Sequence, residues 1–167
     1  ENGITRQMQD AFAIESHKRA LAAREKLAEE ITPAYAGPDF KKVMTADNGP
    51  RNDQTPEVLA KLKPVFDRRA GTVTAGNSSQ ISDGAVALLV MTAARAAALG
   101  MKPLGTLTGY GYSGCDPARM GLGPLAAMAV AEKRTGLGLK DADLIEINEA
   151  FAGQVQAVMK LAESESY

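Results

Sequence analysis

Polar and apolar positions follow a helical period over residues 5–30. Met8, Ala11, Phe12 and Ile14 recur at helical spacing, and no Gly or Pro interrupts before Pro33. The spacing predicts one long amphipathic helix over 5–30 with Thr5 as its N-cap. Arg6, Lys18, Arg19, Arg24, Glu25, Glu29 and Glu30 are assigned to its solvated face, with a few helical charge pairs. Residues 31–69 carry Pro33, Gly37, Pro38, Gly49, Pro50, Pro56 and Pro64, which leaves room only for a short helix near 56–63 with Pro56 in its first turn. The apolar run 85–91, followed by an alanine-rich helix ending at Gly100, predicts a strand buried on both faces and then a helix. Further strands are expected at 104–112 and 144–148, and a helix at 124–135 between Pro124 and Gly136. A final helix over 149–163 is apolar almost all round, the pattern of a helix enclosed by a larger body. Alternating strands and helices place the chain in the α/β class.

Composition narrows the function classes. The 167 residues are 45% hydrophobic and 23% charged, an ordinary globular balance that argues against disorder or a fibrous repeat. A formal net charge of -1 removes the electrostatic case for nucleic-acid binding as the main task. Between residues 41 and 69 seven basic residues face four acidic ones, a modest local basic patch. With Cys115 the single cysteine, no intramolecular disulfide framework and no thiolate zinc cluster can form, and a reducing, intracellular setting is the simplest expectation. No metal site is expected. No apolar run approaches the ~20 residues of a membrane span, and no leader pattern opens the chain.

Candidate chemistry centres on Asn148, where a strand is expected to end and a helix to begin. In open α/β sheets ligands gather beyond the carboxyl ends of strands, and a carboxamide there can donate to a developing oxyanion, directly or through water. The same residue type is also a favoured helix cap, and spacing alone leaves both roles open. Glu149 likewise reads as a general base or as an acid favoured by the helix dipole. Neither glycine-rich stretch, from Gly71 or over 109–123, contains a phosphate-loop pattern.

Four segments together carry a resemblance. NEAFA at 148–152, GTVTAGNSSQISDGA at 71–85, DPARMGLGP at 116–124 and LAKLKPVF at 59–66 resemble thiolase segments in the family's order, and the similarity extends over essentially the whole chain. The resemblance implies an α/β, layered αβαβα fold of which this chain is the middle portion. Residues 1–30 would be a helix leading from the loop domain and 31–69 a loop-domain segment covering coenzyme A. Residues 70–112 would end the N-terminal catalytic half, and 113–167 would begin the C-terminal half.

The implied activity is thiolytic cleavage of a 3-ketoacyl-CoA with free CoA in fatty-acid β-oxidation, CoA being a substrate and no covalently bound cofactor being involved. Position by position, Asn148 takes the asparagine role, holding a water that donates to a thioester oxyanion. Arg51 falls where a guanidinium packs on the adenine, a role suited to a flat cation over a π face. Ala75 and Ser79 match positions along the pantetheine, Phe66 and Phe151 apolar wall positions, and Met120 a residue beside the reacting acyl group. Val58 stands where some members have a CoA-contacting serine.

The family's nucleophilic cysteine, its Gly-His-Pro box and its second cysteine have no counterpart here. Cys115 is therefore assigned to packing and His17 to the surface or to helix packing, and the isolated segment is expected to be inactive. Expected partners are acyl-CoA and CoA, a homodimer or tetramer, and a hydratase-dehydrogenase subunit; the expected location is the cytoplasm or an organelle of β-oxidation. Two alternatives remain: a biosynthetic acetoacetyl-CoA thiolase, and a non-enzymatic thiolase-fold module that binds acyl-CoA or protein.

Overall fold

The computed structural model describes residues 2–164, which divide into two units. The first takes residues up to 80 and 148–160; the second takes 81–147 and the residues from 161 onward.

In the first unit, Thr5 accepts a hydrogen bond from the Met8 N–H and starts α1 (Arg6–Ala22). The predicted long helix is broken at Ala23, whose ψ of 0° ends α1 before α2 (Arg24–Ala28) begins. The proline-rich stretch holds a hairpin that the sequence reading lacks: β1 (Ala34–Ala36) pairs antiparallel with β2 (Lys42–Met44), Tyr35 opposite Val43. Thr55 caps α3 (Pro56–Ala60), with Pro56 in the first turn as expected.

One expectation for α1 is overturned. Arg6 is not on a solvated face: it is salt-bridged to Asp10 at 2.8 Å and donates to the backbone carbonyls of Leu59 and Leu62. A guanidinium has five donors in a fixed fork, so one half-buried Arg can satisfy a carboxylate and two carbonyls in and just beyond α3 together. Asp10 in turn accepts from the Asn77 carboxamide at 2.9 Å. Asn77 completes the network by donating to the Thr72 carbonyl at 3.0 Å and accepting from the Thr74 N–H at 2.8 Å. These groups bind the 72–79 segment to α1 through polar contacts that leave none of the three side chains of Asp10, Asn77 and Thr74 in water. Gly76 lies so close to α3 that a Cβ would sit 2.5 Å from Leu59 Cδ2 and 2.6 Å from Leu62 Cδ1.

The last helix, α6 (Ala152–Ala162), buries Ala152, Val155, Ala157 and Val158. Its Gly153 passes beside Gln9 of α1, where a Cβ would lie 3.0 Å from the Gln9 carboxamide carbon. Enclosure all round does not hold among the described residues: Met159 is 48% exposed.

In the second unit, Thr92 caps α4 (Ala93–Ala98), and Gly100 follows with φ +65°. Asp116 caps a 3₁₀ helix (Pro117–Leu122) that leads into α5 (Gly123–Thr135); a second 3₁₀ turn spans Leu139–Asp141. Gly136, with φ 73°, adopts the left-handed conformation that ends α5 where the sequence placed its stop. Residues 109–111 run along α5: a Cβ at Gly111 would press on the Ala127 carbonyl and the Ala131 backbone. Arg134 donates to the Tyr110 carbonyl at 3.2 Å and covers the Tyr110 ring at 5.5 Å.

The strands expected at 85–91, 104–112 and 144–148 are not formed among the described residues. A strand is held by a neighbour's backbone groups, and here no neighbour offers them. The apolar side chains of those segments are consequently open, with Val86 at 85% and Leu107 at 78% exposure.

Candidate functional site

A cleft of about 230 Å³ opens in the first unit, and its lining includes Ser16, His17, Ser79, Gln80, Asn148 and Glu149. Three pieces of chain converge on it. α1 forms one wall because the Arg6–Asp10–Asn77 network holds the 72–79 segment against it. That segment is clipped to the NEAFA residues by an antiparallel bridge between Ser78 and Phe151, in which the Ser79 N–H donates to the Ala150 carbonyl at 2.9 Å. The Ala152 N–H donates to the Asn77 carbonyl at 3.0 Å, closing the same junction.

Asn148 lies at this junction and is exposed to the cleft. α6 begins at Ala152, four positions further along, so Asn148 is not its N-cap. Among the described residues its carboxamide has no hydrogen-bond partner. A free amide at the mouth of a cleft can donate two hydrogen bonds to a ligand oxygen or an ordered water. Its neighbour Glu149 is engaged: Ser16 Oγ donates to Glu149 Oε2 at 2.5 Å.

The other sequence-predicted residues distribute unevenly. Ser79 lines the cleft, with its hydroxyl on the Gln80 carbonyl at 3.2 Å. Ala75 is exposed one residue before Gly76. Phe66 and Phe151 form an edge-on pair, with ring centroids 6.4 Å apart, although Phe66 remains 76% exposed. Such a pair offers an apolar surface with one ring still open. The Arg51 side chain is exposed, while its backbone N–H donates to His17 Nδ1 at 3.1 Å. Val58 is 41% exposed on α3. Met120 belongs to the second unit, in the 3₁₀ helix before α5, and is 63% exposed; its carbonyl receives a long contact of 3.9 Å from the Cys115 thiol.

Sequence reasoning missed Ser16 as a site residue and took His17 for surface or packing. Each touches a segment far along the chain, Glu149 and Arg51 respectively, and nothing local to α1 signals either contact. Among the described residues no group of three or more His, Cys, Asp or Glu side chains could hold a metal ion, and no helix is long and apolar enough to cross a membrane.

Comparison with known proteins follows the same segments. Residues 1–94 match the family model for the thiolase N-terminal domain, and residues 101–166 that for the thiolase C-terminal domain. A 3-ketoacyl-CoA thiolase of Acinetobacter baumannii (strain AYE) is 46% identical over 163 residues, which cover 95% of this chain and 42% of the relative. The crystal structure of the Bacillus anthracis acetyl-CoA acetyltransferase superposes with a TM-score of 0.89 at 42% identity, over 97% of this chain and 42% of that one. Human mitochondrial 3-ketoacyl-CoA thiolase in complex with CoA superposes with a TM-score of 0.86 at 40% identity, over 98% of this chain and 41% of that one. The chain thus has the fold of these proteins over its own length and spans about 42% of theirs.

Proposed function

The chain belongs to the thiolase family, and from that premise we propose that it forms the CoA-facing middle of an enzyme that cleaves 3-ketoacyl-CoA with CoA to give acyl-CoA and acetyl-CoA. The observation that carries this reading is the Asn148 carboxamide, open to the cleft and unpartnered among the described residues.

In thiolysis a nucleophilic sulfur adds to the 3-keto carbon, the bond between the α- and keto carbons breaks, and the electron pair is protonated to release acetyl-CoA. The thiol of a second CoA then takes the acyl group from the enzyme sulfur. The sulfur nucleophile and the acid-base groups are not among the residues of this chain. Its own part is to bind and to stabilise charge. Asn148 holds a water against the thioester oxygen, where negative charge grows in the transition state and a prepositioned donor lowers the barrier. Ser79 and Ala75 border the pantetheine arm, Phe66 and Phe151 wall the apolar side, and the exposed Arg51 guanidinium covers the adenine. The human relative solved in complex with CoA supports the choice of ligand.

The loop texture TADNGPRNDQTPEVLAKLKPVF and the 3-ketoacyl-CoA thiolase relatives favour the degradative direction, within fatty-acid β-oxidation. The superposition on an acetyl-CoA acetyltransferase favours the biosynthetic alternative, condensation of two acetyl-CoA molecules. Steady-state rates of the complete enzyme with acetoacetyl-CoA and with a long-chain 3-ketoacyl-CoA separate the two. A higher kcat/KM for the long-chain substrate supports the degradative reading, and activity confined to the four-carbon substrate contradicts it. Assembly as a homodimer or tetramer belongs to the same proposal and is read by sedimentation.

A further inference from the structure

We propose that Ser16 and His17, adjacent on α1, form a two-armed positioning element. Ser16 sets the Asn148–Glu149 segment and His17 sets the Arg51 segment, so a single helical turn holds the oxyanion-facing amide and the adenine-facing guanidinium in register. The inference rests on the CoA-thioester reading above and adds to it two residues to which sequence reasoning assigned no site role.

Successive side chains on a helix diverge by about 100°, so neighbours on α1 can reach two different segments. Ser16 Oγ donates to Glu149 Oε2 at 2.5 Å, a short bond of the charge-assisted kind. The residue so held is covalently next to Asn148, which has no hydrogen bond of its own among the described residues to fix its direction. On the other arm, the Arg51 N–H donates to His17 Nδ1 at 3.1 Å. The bond uses the Nδ1 lone pair of the ring as its acceptor. The bond takes hold of the Arg51 backbone alone and leaves the guanidinium exposed. The preceding loop is already seated on the same helices, since Thr45, Asp47 and Pro50 border a small cleft of about 40 Å³ with Ala20, Arg24 and Leu27. α1 can act as the fixed reference because Arg6 ties it to the Leu59 carbonyl of α3 and Asp10 ties it to Asn77.

The two arms act on different kinetic constants, and that split distinguishes positioning from a general structural role. In the complete enzyme, Ser16→Ala lowers kcat about fivefold or more with KM for CoA within about twofold, and Ser16→Thr, which keeps the hydroxyl, recovers most of the loss. His17→Leu raises KM for CoA about fivefold with kcat within about threefold, and His17→Asn, whose carboxamide oxygen can take the place of Nδ1, restores it. Should leucine at this position unfold the protein, His17→Gln serves as the second loss variant, because its amide lies at the Nε2 end. The proposal is overturned if kcat and KM move together in both variants, or if the Thr and Asn variants melt as wild type yet fail to restore the lost constant. Asn148→Ala and Arg51→Ala assayed alongside tell the two levels apart. If they alter kcat and KM while Ser16 and His17 variants do not, only the positioning element fails. If they too are silent, the CoA reading fails with it.

Discussion

Asn77→Ala removes the residue on which the cleft's second wall depends. Asn77 is 2% exposed and makes three side-chain hydrogen bonds: to Asp10 Oδ1 at 2.9 Å, to the Thr72 carbonyl at 3.0 Å and from the Thr74 N–H at 2.8 Å. A bond to a charged acceptor contributes about 1.5–3 kcal/mol and a neutral one about 1 kcal/mol. Alanine also leaves the Thr74 N–H in a buried site without its acceptor, so the expected destabilisation is about 3–5 kcal/mol. Asn77→Asp sharpens the test. It keeps an acceptor for Thr74 but loses both donors and sets a second carboxylate against Asp10, so it is expected to cost at least as much as alanine. Urea unfolding of the complete protein, with equal slopes for wild type and variants, reads the difference from the midpoints. A loss below about 1 kcal/mol in both variants would refute the claim that this network binds the 72–79 segment to α1.

Further perturbations test other parts of the account. Gly76→Ala drives a methyl group into Leu59 and Leu62, and the stability read from the unfolding midpoint should fall by about 1–3 kcal/mol; an unchanged midpoint contradicts the close approach. Thr55→Ala removes the cap of α3 and costs about 1 kcal/mol by the same assay, while Thr55→Ser is nearly neutral. The N–H groups of Ala70 and then Arg69 hold the Asp67 carboxyl below its ordinary 3.8, so a carboxyl NMR titration should show its midpoint under that value. Because the folded value is the lowered one, the stability Asp67 contributes is present above the unfolded value and is lost as pH falls through the folded one; Asp67→Ala should therefore approach wild type in acid.

What could be read from the amino-acid sequence was whatever local chemistry settles. Thr5 before an uninterrupted amphipathic run, Pro56 in a first turn, and glycines at 100 and 136 mark element ends through neighbours a few residues away, and the structure places those ends there. The hairpin of β1 and β2 escaped because strands of three residues are too short to show an alternation. The strands expected at 85–91, 104–112 and 144–148 failed for the opposite reason: the apolar pattern is present, but a strand also needs a pairing neighbour, which a segment's own pattern does not contain. Arg6 was misplaced because its carbonyl acceptors lie 53 and 56 positions along the chain. In the cleft, Asn148 was visible through its motif, whereas Ser16 and His17 owe their roles to partners 133 and 34 positions away.

The most direct test of the central claim is turnover of Asn148→Ala in the complete enzyme, with thermal melting as the check on folding. Loss of one prepositioned oxyanion donor predicts a fall in kcat of about 10²–10³ with little change in KM or melting temperature. A folded variant whose kcat stays within about threefold of wild type would contradict the assignment of this cleft to thioester chemistry.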